Sequence, residues 1–143
     1  MVIGSHKRII VYNKTGKRCA ICGSKNNLTC VCFIPEWTRI VSTDLDNLIP
    51  LCDDCHIKRG KNFIEIGSLR YLDDLYIDQL LRYYKSISLY LYKYIRLYGV
   101  QRTNGLVDID RVLLTMQSYD NLIKEKEDEI KWEDLWKVGV KYE

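Results

Sequence analysis

The sequence predicts an α+β fold, in which a small cysteine-containing module at about residues 1–66 is followed by a helical domain at about residues 67–143. Two features of the chain predict this division. The first is a pair of C-x-x-C motifs, Cys19 with Cys22 and Cys52 with Cys55, with a good β-strand candidate between them. The second is a change after Gly67, where apolar residues begin to recur at helical spacing.

The first half alternates short apolar segments with turns. Residues 7–14 are apolar only in the middle and fit either a strand or a first helix. Residues 28–34 are rich in β-branched and aromatic side chains and end at Pro35, which favours a strand. Residues 55–61 indicate a short helix that ends at Gly60.

The second half predicts two long helices. Gly99 is the expected C-cap of the first, and Asp108 or Asp110 is the expected N-cap of the second. Residues 132–142 fit a last helical turn or an alternating strand. In the first helix, apolar residues recur at steps of three and four in a heptad seam: Ile77, Leu80, Tyr84, Ile87, Leu91, Tyr94 and Tyr98.

This seam and its flanks contain many tyrosines. The apolar stripe is wider than a two-stranded coiled coil needs, so it should pack against more than one neighbour. Tyrosine has an apolar body and a polar tip, which suits a half-hydrated interface. We therefore expect residues 76–98 to contact the core and a partner helix, with a homodimer or a heterocomplex as the resulting assembly.

The spacing of the four cysteines predicts a structural zinc site. Two thiolates at positions i and i+3 can bind one metal ion when the chain turns tightly between them, and a second pair completes a tetrahedral site. We expect Cys19, Cys22, Cys52 and Cys55 to hold one zinc ion per chain. Four unrelated buried cysteines are the alternative, which does not explain why each pair lies at a turn.

Composition limits the class of protein. The chain has no apolar stretch of about 18 residues that would form a transmembrane helix, and residues 1–10 do not resemble a signal peptide. Paired cysteines without a secretory signal favour metal binding in a reducing, cytoplasmic compartment. The formal charge of +3 falls to about +1 once four thiolates and zinc are counted, so overall charge alone does not predict nucleic-acid binding.

Residues 16–59 resemble the zinc-containing form of the HNH endonuclease family. The family pattern runs C-x-x-C-G, a strand ending in Asp-His, a Pro, then Asp-Asn-Leu and Leu-Cys-x-x-Cys-His with basic residues behind. This chain supplies Cys-Ala-Ile-Cys-Gly at 19–23, Pro35, Asp-Asn-Leu at 46–48 and Leu-Cys-Asp-Asp-Cys-His at 51–56. The resemblance implies a ββα-metal module that the zinc ion supports.

The chain departs from this family at the catalytic pair. Val31 and Cys32 stand where the family has Asp-His, in which the His is the general base and the Asp helps to hold a Mg²⁺-type ion. By the same resemblance, His56 would be the other metal ligand and Asn47 would orient the base. Because valine cannot bind a metal and a thiol is a poor substitute for the base, we expect nuclease activity to be absent or residual. Cys32, Asn47 and His56 are therefore degenerate catalytic positions.

Two other chemistries can be written for the altered site. Cys30 and Cys32 lie on one face of the predicted strand, so together with His56 they would form a second site for a soft metal. Cys32 and His56 would alternatively form a thiol nucleophile pair. Cysteines spaced in this way more often pack as small hydrophobic side chains in a core.

The resemblance also suggests partners. Lys58, Arg59 and Lys61 lie on the helix that family members press against the DNA minor groove, and a solvated helix face is the alternative. The leading interpretation is a catalytically degenerate HNH-like zinc protein that binds DNA or a protein. Such a protein suits a phage or mobile element, for example as an inhibitor of a host nuclease such as a CRISPR effector. The rival interpretation is an active HNH nickase that uses Mg²⁺ or Mn²⁺.

Overall fold

The computed structural model describes the backbone of residues 4–39 and 44–142 and the side chains of residues 4–39 and 44–128. It confirms the α+β class. The helices and strands of the described chain are α1 (Ser5–Asn13), β1 (Leu28–Cys32), β2 (Leu48–Cys52), α2 (Asp53–Arg59), α3 (Asp74–Thr103) and α4 (Ile109–Tyr142). Short 3-10 turns lie at Glu36–Thr38, Leu45–Asn47 and Ile66–Ser68. No described helix combines the length and the apolarity that a bilayer-spanning segment needs.

Strands β1 and β2 pair antiparallel, with Cys32 opposite Leu48. All five residues of β2 are buried, because both faces of the hairpin are covered. On one face Val11 of α1 packs with Cys32 and Leu48, and on the other face Val31 joins the main core. The ambiguous segment at 7–14 is therefore a helix that shields the hairpin, and β1 and α2 confirm the strand and short helix predicted after it.

The first long helix, α3, ends later than predicted. Gly99 lies inside α3, and the expectation that it caps the helix is wrong. Asn104 ends the helix in a left-handed conformation with φ of 53°. Gly99 serves packing instead, because a Cβ atom at this position would lie 2.8 Å from Cδ1 of Ile109. The missing side chain lets α4 approach α3 closely beside their connection.

The tyrosine-rich seam drifts away from the core along α3. Leu80 and Tyr84 are buried, whereas Tyr98 at the far end of the seam is 46% exposed. An α-helix has 3.6 residues per turn, so a strict seven-residue repeat drifts by about 20° per heptad. The buried face of α3 follows Ile95 and Gly99 instead. The end of the predicted seam therefore lies at the surface.

Helix α4 begins at one of the two predicted caps. The carboxylate of Asp108 accepts hydrogen bonds from the backbone N–H groups of Asp110 and Arg111, at 3.1 and 3.4 Å. These bonds satisfy donors that the first helical turn leaves unpaired. The backbone stays helical to Tyr142, so the helical alternative for residues 132–142 is the one observed.

A polar clamp holds α3 against α4. The hydroxyls of Tyr84 and Tyr92 both donate to the carboxylate of Asp120, at 2.9 and 2.5 Å. Farther from the connection, Lys85 of α3 forms an ion pair with Glu127 of α4. Residues earlier in α3 therefore contact residues later in α4. The two helices thus run in opposite directions and form the predicted antiparallel hairpin.

One hydrophobic core joins the two halves of the chain. The ring of Tyr119 in α4 lies 5.3 Å from that of Phe33 and 5.0 Å from that of Tyr84, measured between centroids. The Tyr119 hydroxyl donates to the backbone carbonyl of Ile64. The boundary predicted after residue 66 falls in the turn Ile66–Ser68, and the core continues across it. The helical hairpin and the cysteine module therefore share their buried apolar surface.

Candidate metal centre

The structure brings the four predicted cysteine ligands together. The sulfur atoms of Cys19, Cys22, Cys52 and Cys55 all lie within 4.8 Å of one another, and those of Cys22 and Cys52 are 3.5 Å apart. A tetrahedral ion with metal–sulfur bonds of about 2.3 Å requires sulfur atoms about 3.8 Å apart. The cluster therefore has the dimensions of a four-thiolate site for one metal ion.

Local turns position both cysteine pairs. In the first pair, the Gly23 N–H donates to the Cys19 carbonyl at 3.0 Å, which closes a tight turn. The Ala20 N–H donates to the Pro50 carbonyl at 2.9 Å, which ties this turn to β2. In the second pair, Cys52 ends β2 and Cys55 lies in the first turn of α2. The strand-to-helix junction therefore aims both of its thiols at the first turn.

Burial and hydrogen bonding separate the acidities of Cys19 and Cys55. Burial opposes ionisation of Cys19, but hydrogen bonds from the backbone N–H groups of Cys22 and Cys52 lower its pKa to about 7. Burial and hydrogen bonding to the other thiols raise the pKa of Cys55 well above its usual range. Without a metal ion, Cys19 is therefore a stronger acid than Cys55, which stays protonated at neutral pH.

Metal affinity should consequently fall as pH falls. An ion binds only thiolates, so binding must displace the proton of Cys55 and of every other thiol that is neutral at that pH. More than one proton is released per ion, so we expect the affinity to drop more than tenfold per pH unit below neutrality. Competition with a chromophoric chelator at several pH values measures this slope. A slope of zero would contradict binding by thiolates.

Gly23 makes the first cysteine turn sensitive to substitution. It has φ of +77°, and a Cβ atom would lie 2.6 Å from the Tyr71 ring. Gly16 has a similar φ of +64° but no atom within 4 Å of such a Cβ. Gly16→Ala should cost about 1 kcal/mol through its backbone alone.

Gly23→Ala also forces the ring of the 43%-exposed Tyr71 to move, so we expect it to destabilise the protein somewhat more than Gly16→Ala. Urea unfolding of both variants measures the difference. Equal decreases in the free energy of unfolding would show that the clash with Tyr71 does not contribute.

The three positions that the HNH resemblance singles out differ in burial and partners. Asn47 is fully buried, and its side chain accepts from the Ile34 N–H at 2.8 Å and donates to the Ile34 carbonyl at 3.3 Å. Asn47 thus holds the segment that follows β1. Cys32 is buried with its sulfur 3.8 Å from a carboxylate oxygen of Glu36, whereas His56 is exposed.

Cys32, Glu36 and His56 line one open depression of about 450 Å³. Cys30 lines it as well. Among the described side chains, the four-cysteine cluster is the single His, Cys, Asp or Glu group close enough to share a metal ion. The structure therefore does not bring Cys30, Cys32 and His56 together as a second metal site.

The three basic residues after the second cysteine pair differ in exposure. Lys58 and Lys61 are exposed. Arg59 is 9% exposed, and its guanidinium donates to the backbone carbonyls of Cys32 and Phe33. Burial lowers the pKa of Arg59 to about 10. Arg59 therefore fastens α2 to the end of β1 and has its donors occupied inside the module.

Two buried cations were not predicted as structural groups. Besides Arg59, Lys14 is 6% exposed, and its ammonium donates to the carbonyls of Leu48 at 2.9 Å and Leu45 at 2.5 Å. The spacing of Arg59 offers a signal, because it lies four residues after the ligand Cys55 and so shares its helix face. Lys14 offers no such signal, because it follows a short helix whose partner strands are distant in sequence.

The donor set defines what this centre can hold. Four thiolates are soft ligands, and when all four bind one tetrahedral ion no coordination position is left for substrate or water. Comparison with known proteins adds no relative, because the chain matches no protein-family model, no curated protein and no solved structure. The four thiols could therefore hold one metal ion in a closed site.

Proposed function

We propose that the four cysteines hold one structural zinc ion and that the module around it is a catalytically degenerate HNH-like scaffold that binds DNA. The observation that carries this proposal is the closed four-thiolate geometry at the junction of a β-hairpin and a helix. Four thiolates at this separation are the ligand set typical of one structural zinc ion. The order of strand, strand and helix also agrees with the resemblance of residues 16–59 to HNH proteins.

The strand end supports a role without phosphodiester hydrolysis. Val31 packs in the core, and the neighbouring Cys32 thiol faces Glu36. A metal-dependent nuclease needs a carboxylate ligand and a general base at this end, and loss of the base alone costs about 10²–10⁴ in rate. The buried Arg59 guanidinium further commits the carbonyl of Cys32 to a structural bond.

The exposed end of α2 is the proposed DNA-contacting surface. Lys61 and the exposed His56 line one depression, whereas the exposed Lys58 lines a separate depression on another side of α2. Lysines at a helix end act as point charges for phosphate without reading sequence. Arg59 is not part of this surface, because its guanidinium is occupied inside the module.

Lys58→Glu and Lys61→Glu should each weaken DNA binding. Replacing a phosphate-contacting lysine should remove about one counterion from the salt dependence, and charge reversal should lower the affinity about tenfold. Fluorescence anisotropy with a labelled duplex at several salt concentrations measures both quantities. Lys124→Glu, which changes an exposed lysine on α4, is the matched control and should leave binding unchanged.

If Lys58→Glu and Lys61→Glu both bind DNA as tightly as the parent chain, this surface does not contact DNA. If no duplex binds at low salt, the partner is a protein, as the sequence also allows.

Active nicking is the rival function, favoured by the depression that joins Cys32, Glu36 and His56. The test is incubation of supercoiled plasmid with Mg²⁺ or Mn²⁺. We expect no nicking above that of a mock preparation. Nicking that is lost in His56→Ala would establish an HNH nuclease with an atypical site and reject the degenerate one.

A further inference from the structure

The outward face of α3 carries an apolar stripe that nothing in the described structure covers. We define the outer stripe as Leu89, Tyr90, Lys93, Leu97 and Val100, whose spacing puts them on one side of the helix. Their exposure is 87% for Leu89, 47% for Tyr90, 63% for Leu97 and 65% for Val100. The opposite side of the same segment is buried against α4 and the core.

This segment of α3 is thus apolar nearly all round. A helix with that pattern normally has protein on every side. Large exposed apolar patches on soluble domains mark interaction sites. The outer stripe therefore has the composition of an interface.

The charges around the stripe select the chemistry of its partner. Residues 79–107 contain no Asp or Glu, whereas Lys93 lies within the stripe and the exposed Arg96 flanks it. Two copies of this surface, packed face to face, would bring like charges together, which is unfavourable at an interface. Phosphate would satisfy the cations but not the exposed leucines and valine. An acidic amphipathic helix satisfies both.

We propose that the outer stripe is a docking surface for an acidic amphipathic helix of a partner protein. Leucines of the partner would cover Leu89, Leu97 and Val100, while its flanking carboxylates would meet Lys93 and Arg96. This is the helix-on-apolar-surface mode of recognition, with apolar anchors at intervals of three and four residues. The surface lies on α3 and is independent of the DNA contact proposed for α2, so either can fail without the other.

The probe is a labelled synthetic helix of about 18 residues, long enough to cover the stripe, with leucine on one face and glutamate on its flanks. We expect saturable binding to the full chain by fluorescence anisotropy. Leu89→Glu and Leu97→Glu should each weaken binding about tenfold, because each loses an anchor and gains repulsion. A peptide with lysine in place of glutamate should also bind at least about tenfold more weakly.

The control variant is Ile9→Glu, which places the same charge at an exposed position on α1 and should leave peptide binding unchanged. Thermal melting and zinc content check that all variants are folded. Several results would overturn the proposal: no binding of the glutamate peptide, equal binding of the lysine peptide, or no effect of Leu89→Glu.

Two further measurements identify a different occupant. Sedimentation velocity that shows a dimer lost in Leu89→Glu would assign the stripe to a second copy of this chain. Binding of oligothymidine that is lost in Lys93→Gln would assign it to single-stranded nucleic acid. Either result rejects the acidic helix.

Discussion

Removal of the proposed zinc ion is expected to unfold this protein. A structural zinc site of four thiolates contributes about 10–16 kcal/mol, which equals or exceeds the whole stability of a typical domain. An ion bound by the four thiols would link the first cysteine turn to the β2–α2 junction, alongside core packing and backbone hydrogen bonds such as that from Ala20 to Pro50. Because the core is continuous across both halves, α3 and α4 should lose their packing as well.

Chelation followed by circular dichroism measures this effect, and metal analysis should find one zinc ion per folded chain. Cys52→Ser should behave like the chelated protein, since it removes one ligand. Cys30→Ser is the matched control, because Cys30 lies in the partner strand of the same hairpin but outside the cluster. It should retain zinc and unfold near the temperature of the parent. A chelated protein with unchanged melting would reject the metal site.

Tyr119→Ala is expected to be the most damaging single change in the shared core. Tyr119 is fully buried between Phe33 and Tyr84, and its hydroxyl bonds the Ile64 carbonyl. Loss of a large buried aromatic ring costs about 3–5 kcal/mol. Tyr119→Phe keeps the ring and should cost about 1–2 kcal/mol through the unsatisfied carbonyl.

Urea unfolding, followed both by circular dichroism and by zinc release, checks this prediction. The two signals should change together in the parent and at lower urea in Tyr119→Ala. Tyr98→Ala is the control, since Tyr98 is 46% exposed on α3, and it should shift the midpoint only slightly. Separate transitions for the helices and for zinc release would show that the two halves fold independently.

The residues that could be predicted are those whose role depends on near neighbours in the chain. Each C-x-x-C motif closes its own turn, so the cluster of four thiols followed from spacing. The Asp108 carboxylate accepts hydrogen bonds from N–H groups two and three residues later, and β1 ends at Cys32, three residues before Pro35. The α+β class rests on the same kind of signal.

The positions that could not be predicted depend on contacts with distant segments. Gly99 has the sequence signature of a helix end, yet the approach of Ile109 makes it a packing position within α3. Arg59 has the signature of a surface charge, yet its donors meet carbonyls at the end of β1. In both cases a contact with a different element of the fold determines the role of the residue.

The sequence by itself determined which four cysteines cluster, the class of fold and the start of α4 at Asp108, because turns, caps and periodicity act over a few residues. Only the tertiary structure decided that the core runs through both halves and that the outer stripe of α3 is left uncovered. Those outcomes depend on which faces meet when α4 packs between Phe33 and Tyr84. Burial is a property of the assembled surfaces, so it appears only when the segments are brought together.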